Sequence, residues 1–291
     1  MPGLKDVKDK INGVKKTAQI TKAMNMVASA KLRGAQEKME SFRPYAGKFA
    51  DTMRDLSGGM ENSDLPLMEV RDVKTVEIVV FTSDRGLCGS FNANIIKAAN
   101  RLRKQYEASG KRVQLVTVGK KGTQFFRKTG QLRTSFNDIM GSFQMFNARE
   151  ISHSITEAFL SGESDQVDIV YGRFHSVGVQ KPEIEELLPI KPLVTTEEAA
   201  GKSAGGAYTY EPDPAEIMDV LLPLFLNVQI YHAMLEVGAS EQAARMTAMD
   251  NATKACKDMI KDLTQLYNKA RQAAVTGELM DIVGGAEALK G

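Results

Sequence analysis

Counting from Leu4 in alternating steps of three and four gives Leu4, Val7, Ile11, Val14, Ala18, Thr21, Asn25, Ala28, Leu32, Ala35, Met39, Phe42, Ala46, Phe49, Met53 and Leu56, a stripe that only Thr21 and Asn25 interrupt. A seven-residue repeat of this kind is the seam of a left-handed coiled coil. It predicts a helix over residues 1–57, stopped by Gly58-Gly59 and kinked at Pro44, whose ring removes one helical hydrogen bond. At a rise of about 1.5 Å per residue such a helix is roughly 80 Å long.

The C-terminal end carries a matching pattern. Asp213-Pro214-Ala215-Glu216 combines a capping acid, a proline at the first turn and a glutamate at the third helical position. The seam counted from there is Leu221, Leu224, Val228, Tyr231, Leu235, Gly238, Gln242, Arg245, Met249, Ala252, Cys256, Met259, Leu263, Leu266, Ala270, Ala273, Gly277 and Met280, with polar breaks at Gln242 and Arg245. The predicted helix covers 214–283, kinks at Pro223 and ends at Gly284-Gly285. Either helix alone exposes an apolar stripe and is marginal in water. Pairing the two antiparallel within the chain covers both stripes. Two separate amphipathic helices lying on a globular body are the alternative, but helices this long outreach any domain that the remaining residues build.

Apolar and small residues also fall off the seam. They include Ile20, Ala23, Met24, Met26 and Val27 near one end, and Ala274, Val275, Leu279, Ile282 and Val283 near the other. A helix apolar on several faces is enclosed by something, and one partner helix does not enclose it. The pattern therefore predicts a sleeve formed by other chains around Ile20, Met24, Val27, Val275, Leu279 and Ile282.

Between the helices, residues 74–190 alternate strand-like and helix-like segments. Strands are expected at Thr75–Thr82, Arg112–Val118, Gln166–Phe174 and Glu183–Ile190, and helices at Phe91–Tyr106, Gly119–Lys128 and Asn147–Leu160. This describes a Rossmann-like α/β middle domain with a mostly parallel sheet, joined through a polar, glycine-rich link at 191–213 to the last helix. The fold class is thus mixed α and β: a long antiparallel coiled coil of the terminal helices plus that domain.

Charge and chemistry narrow the function. Lys plus Arg total 38 against 36 Asp plus Glu, which argues against a general nucleic-acid binder. Residues 1–38 nevertheless hold nine Lys or Arg and three Asp or Glu, either a solvated face or a surface steered by an acidic rim on the sleeve. Cys88 and Cys256 form no metal-ligand spacing, His153, His175 and His232 show none, and no run of about 18 apolar residues points to a membrane span. No signal or transit segment is expected at the N-terminus, where the heptads begin almost at once. Gly201-Lys202-Ser203 has Thr196 where a phosphate loop needs its first glycine. Asp84-Arg85-Gly86-Leu87-Cys88-Gly89 follows a strand, but Leu87 and Cys88 crowd the place a pyrophosphate would occupy, so a structural turn presenting Arg85 is expected. No catalytic, cofactor or metal residues are assigned.

Several segments carry a family resemblance. Ile20–Ala28 (ITKAMNMVA), Arg43-Pro44-Tyr45, Ser83–Gly89 (SDRGLCG), Ala239–Met246 (ASEQAARM) and Tyr267–Ala286 (YNKARQAAVTGELMDIVGGA) resemble, in the same order, the gamma subunit of F-type, bacterial-like ATP synthases. The resemblance implies a non-catalytic rotor standing in a hexamer of alpha and beta subunits. The rotor turns with a proton-driven c-ring, and ATP forms at beta-subunit sites. It further implies contacts with beta through Arg271, Gln272, Arg245, Gln242 and Arg85, a bearing at Met24 and its neighbours, and a c-ring and epsilon side at Tyr208, Tyr210 and Glu211. The alternative role for Gln242 and Arg245 is only to set helix register. The implied location is peripheral, on the cytoplasmic face of the bacterial inner membrane. No thiol regulation is expected, since the cysteine-bearing segment of chloroplast relatives is missing. Two other functions stay open on the residues alone: a passive coiled-coil tether or scaffold whose α/β domain binds a ligand, and a nucleotide-dependent enzyme.

Overall fold

The computed structural model describes residues 4–57, 65–191 and 214–288. Helix α1 runs Leu4–Ser57 without interruption through Pro44. Strand β1 (Thr75–Phe81), helix α2 (Phe91–Ala108), strand β2 (Arg112–Val118), helix α3 (Lys120–Phe126), strand β3 (Leu132–Phe136), helix α4 (Met145–Leu160) and strands β4 (Gln166–Ser176) and β5 (Val179–Leu188) follow. The last helix, α5, covers Pro214–Ala288 and passes through both Pro223 and the Gly284-Gly285 pair expected to end it. The glycine stop at 58–59, the capping Asp213 and the Gly201-Lys202-Ser203 segment lie outside the described residues.

The sheet order is β3-β2-β1-β4-β5. The pairs β1·β2, β1·β4 and β2·β3 are parallel, and β4·β5 is antiparallel. Every residue of the central strand β1 is buried, as its run of β-branched and apolar side chains requires. The exception in chemistry is Glu77, fully buried in β1. Arg133 on β3 reaches across β2 to donate two hydrogen bonds to it, at 3.0 and 2.9 Å, and also contacts Ser154 of α4. Burial pushes the Glu77 carboxyl above its usual range, with Arg133 opposing. Strand β3 was not expected from sequence: LRTSF is short, polar and only half covered, as an edge strand can be.

Two compact units emerge, Met1–Ala28 with Met246–Gly291, and Ser29–Arg245. In the larger unit α1 and α5 run antiparallel. Phe49 stacks on Phe225 and Phe42 meets Tyr231 edge-on, so a step down one helix is a step up the other. Phe143, from the segment between β3 and α4, adds a second edge to Tyr231 and links the helices to the α/β domain. Here α5 is buried almost continuously, including Leu226, Ile230, Met234 and Val237 at 0% exposure. Composition and length would let an 18-residue window of α5 cross a membrane, at mean hydropathy 1.4, but 56% of that window is buried inside the protein. Its apolarity is that of a core helix.

The smaller unit is a helix pair alone. Thr21 and Thr253 share a 2.8 Å hydroxyl hydrogen bond, and the Asn25 amide donates to the Met246 carbonyl at 2.8 Å. These two contacts also run antiparallel. They put the two polar interruptions of the α1 stripe where each finds a partner on α5. Along α1, every described seam position is buried or half-buried. Along α5 the expected seam needs correction. Beyond Met249 the covered positions are the expected Ala252 with Thr253 beside it, then Cys256, Ile260, Leu263, Tyr267, Ala270 and Ala274. The expected Met259 and Leu266 are 47% and 45% exposed. Alternate positions therefore shift by one residue.

Candidate functional site

The turn after β1 is built by its own polar side chains. The Asp84 carboxylate accepts three backbone N–H groups, from Lys120 at 3.0 Å, Asp138 at 3.0 Å and Met140 at 2.9 Å. It thereby ties the loops after β2 and β3 to the end of β1. The Ser83 hydroxyl donates to the Arg85 carbonyl at 2.6 Å, and the Ser83 N–H donates to the Asn92 side chain. Behind the turn, Gly119 adopts φ +98°, and a Cβ there would sit 2.2 Å from the Thr82 carbonyl oxygen, so only glycine fits.

This geometry bears on nucleotide binding. In a parallel sheet, phosphate is held by free N–H groups at a helix start beyond a strand end. At the start of α3 those groups are taken: Lys120 donates to Asp84, Lys121 to the Ser83 carbonyl and Gly122 to the Thr82 hydroxyl. The turn itself leads into α2 and presents Arg85 to solvent beside Leu87, which is 64% exposed.

Arg245 docks on the same turn from α5. Its guanidinium donates to the Gly86 carbonyl at 3.1 Å and pairs with Glu241 at 2.7 Å, with both side chains buried. Burial pushes the Glu241 carboxyl upward against the pull of Arg245. Arg245 thus has a carboxylate within the chain, a pairing not foreseen from sequence because Glu241 was read as part of a motif and not as a buried acid. Gln242, half-buried, lines a cleft of about 240 Å³ with Lys31, Lys38 and Phe143.

Arg271 and Gln272 are exposed on α5. So are most of the off-seam apolar residues: Ile20 at 60%, Val27 at 57%, Val275 at 51%, Leu279 at 57% and Ile282 at 68%. Met24 is half-buried. These residues form two separate zones. Thr21 lies opposite Thr253, so the Ile20–Val27 zone and the Val275–Ile282 zone are about 30–40 Å apart along α5. From 275 to 288 every residue is exposed. All nine Lys and Arg residues of the first 38 positions are exposed as well. Tyr208, Tyr210 and Glu211 lie outside the described residues.

Two long antiparallel helices, an α/β domain between them in sequence, and outward apolar zones define a helix-pair protein with uncovered apolar surface. Residues 3–289 match the ATP synthase family. The chain is 63% identical over 290 residues to the ATP synthase gamma chain of Desulfotalea psychrophila, with 100% of both chains covered. It is 54% identical over 294 residues to that of Nitratidesulfovibrio vulgaris strain Hildenborough, again with 100% of both covered. Among solved structures, it is similar to a chain of the Euglena gracilis mitochondrial ATP synthase (OSCP/F1/c-ring), with TM-score 0.69, 22% identity and coverage of 98% of this chain and 94% of that one. It is also similar to a chain of the Tetrahymena thermophila central stalk and c-ring, with TM-score 0.61, 27% identity and coverage of 80% and 99%. The chain belongs to the ATP synthase gamma chain family.

Proposed function

We propose that this chain is the central stalk of a rotary ATP synthase, turning with a c-ring inside a hexamer of alpha and beta subunits and contacting epsilon near the ring. It carries no catalytic residues of its own. Rotation presents a different face of the helix pair to each beta subunit, and the differential contact energy shifts each site between conformations. The complex stands at the cytoplasmic face of the bacterial inner membrane, and this chain touches the membrane only through its partners.

One observation carries the reading: the apolar residues off the seam are exposed, with Ile282 at 68% and Ile20 at 60%. A passive tether has no use for them, because a coiled coil needs apolar residues only at its seam. Their two zones fit two bearing surfaces, one around Ile20, Met24 and Val27 and one around Val275, Leu279 and Ile282. Arg271 and Gln272, exposed just before the second zone, are placed to hydrogen-bond a beta-subunit loop. Arg85 offers a cation to an acidic beta segment, Arg245 holds the turn that presents it, and half-buried Gln242 is assigned a beta contact. Tyr208, Tyr210 and Glu211 are assigned to the c-ring and epsilon side.

The test is thiol labelling. In a Cys256→Ser background, Ile282→Cys should react with a maleimide in the free chain and be protected after assembly with alpha and beta. Equal labelling in both states contradicts the bearing. Tight nucleotide binding by the isolated chain would instead favour an enzyme.

A further inference from the structure

We propose that Glu236 is the residue through which torque passes between the α/β domain and the helix pair. The inference rests on the rotor reading and gives a role to Arg43-Pro44-Tyr45, a motif the contact surfaces leave unexplained.

Glu236 is a carboxylate in the most apolar stretch of α5, flanked by Ala233, Met234, Leu235 and Val237, all buried. Its own side chain is 1% exposed. A leucine at such a place would pack without the cost of removing a charge from water, and buried ionic groups add directional specificity more than stability. The directions here are three. Oε2 accepts the Phe174 N–H of β4 at 2.8 Å. Oε1 meets the Arg43 guanidinium of α1 at 3.5 Å and the His232 imidazole of α5 at 3.5 Å. One carboxylate therefore touches both long helices and the sheet.

The β4 end of this contact follows from the sheet. Pairing of β1 with β4 ends at Val80 and Val170, while β4 continues to Ser176. Past Val170 the β4 backbone has no β1 partner, and the Phe174 N–H is satisfied by the Glu236 side chain. A buried N–H without a partner is costly, so the carboxylate completes the strand as well as joining it to α5.

Apolar packing surrounds this point, but hydrophobic attraction is non-directional and resists separation better than sliding. Hydrogen bonds weaken steeply with misalignment. Under a twisting load the Glu236 contacts fix the register of α5 against β4 and α1, where packing alone lets the surfaces slip.

The test uses the assembled ATP synthase in membrane vesicles carrying Glu236→Gln, Glu236→Leu or Arg43→Gln. ATP-driven ion uptake is measured per ATP hydrolysed, together with the unfolding temperature of the complex. The expected result is a several-fold fall in uptake per ATP for both Glu236 variants and a smaller fall for Arg43→Gln. Glu236→Leu, which strands the Phe174 N–H, should unfold earlier than wild type, whereas Glu236→Gln, whose amide oxygen keeps an acceptor there, should unfold close to it. Wild-type uptake per ATP in Glu236→Gln overturns the proposal. A loss of uptake that simply tracks a lower unfolding temperature in all three also overturns it, by assigning a purely structural role. If Glu236→Leu fails to assemble, the near-isosteric Gln variant decides. Absence of coupled uptake in wild-type vesicles would instead strike the rotor reading itself.

Discussion

The two halves of α5 differ in cover more than in composition. Between Phe225 and Ala243 it is sealed, with no exposed residue and with Leu226, Ile230 and Val237 at 0% exposure. Beyond Ala274 half of its side chains are still apolar, yet Val275, Leu279, Met280, Ile282 and Val283 are all more than half exposed. The first half completes its core within the chain. The second has no such wall among the described residues. Apolar content alone therefore does not mark a core; what marks it is whether the fold supplies a second wall.

This contrast predicts opposite responses to substitution. The largest effect belongs to the sealed half. Leu226→Ala should destabilise the isolated chain by about 2–5 kcal/mol in a denaturant titration, through lost burial and the cavity left behind. Asp84→Ala, which strands three backbone N–H groups, should cost about 1–3 kcal/mol for each one that water does not reach. Restoration by Asp84→Asn should be partial, since one amide oxygen replaces two carboxylate oxygens.

A smaller effect is expected from His232. Burial lowers its pKa from 6.5, offset by Glu236 and Glu185, while Arg43 and Arg173 add to the lowering. The folded chain thus binds its proton less readily than the unfolded chain. The stability His232 contributes is present above the ordinary imidazole range and is lost as pH falls through it toward the lower folded value. His232→Gln should flatten that part of a stability-against-pH curve.

The smallest effect on the isolated chain falls at the uncovered end. Ile282→Ser should change its stability by less than about 0.5 kcal/mol, as for a typical surface site. It should nevertheless weaken assembly with alpha and beta. A loss of stability there comparable to that of Leu226→Ala would erase the difference between the two halves.

The same contrast explains what could be read from sequence. The α1 seam was legible throughout, because its off-seam neighbours are mostly charged or polar, the Ile20–Val27 stretch excepted. On α5 past Met249 the count went wrong by one at alternate positions. Met259 and Leu266 look like better seam residues than Ile260 and Tyr267 only if outward apolar residues are not allowed for. The exposed apolar positions resemble the seam in residue type, so hydropathy does not separate them. Strand β3 was missed since LRTSF sits at a sheet edge, half covered, without the apolar run that betrays β1. The α5 end was missed because Gly284 and Gly285 permit a stop without compelling one, and the helix continues to Ala288. The buried partners Glu241 of Arg245 and Thr253 of Thr21 were not legible, since each is a polar residue four places from a motif residue or one place off the counted seam, and only the fold shows that it faces inward.

The central claim is that the chain turns as a shaft. The direct measurement is single-molecule rotation. The α/β domain carries a probe at an exposed cysteine introduced at Lys97 or Arg101 of α2, and the alpha–beta hexamer is fixed to a surface. On ATP addition the account predicts unidirectional stepping of the probe, at a rate that follows ATP hydrolysis. A stationary probe on complexes that hydrolyse ATP at the full rate would contradict it.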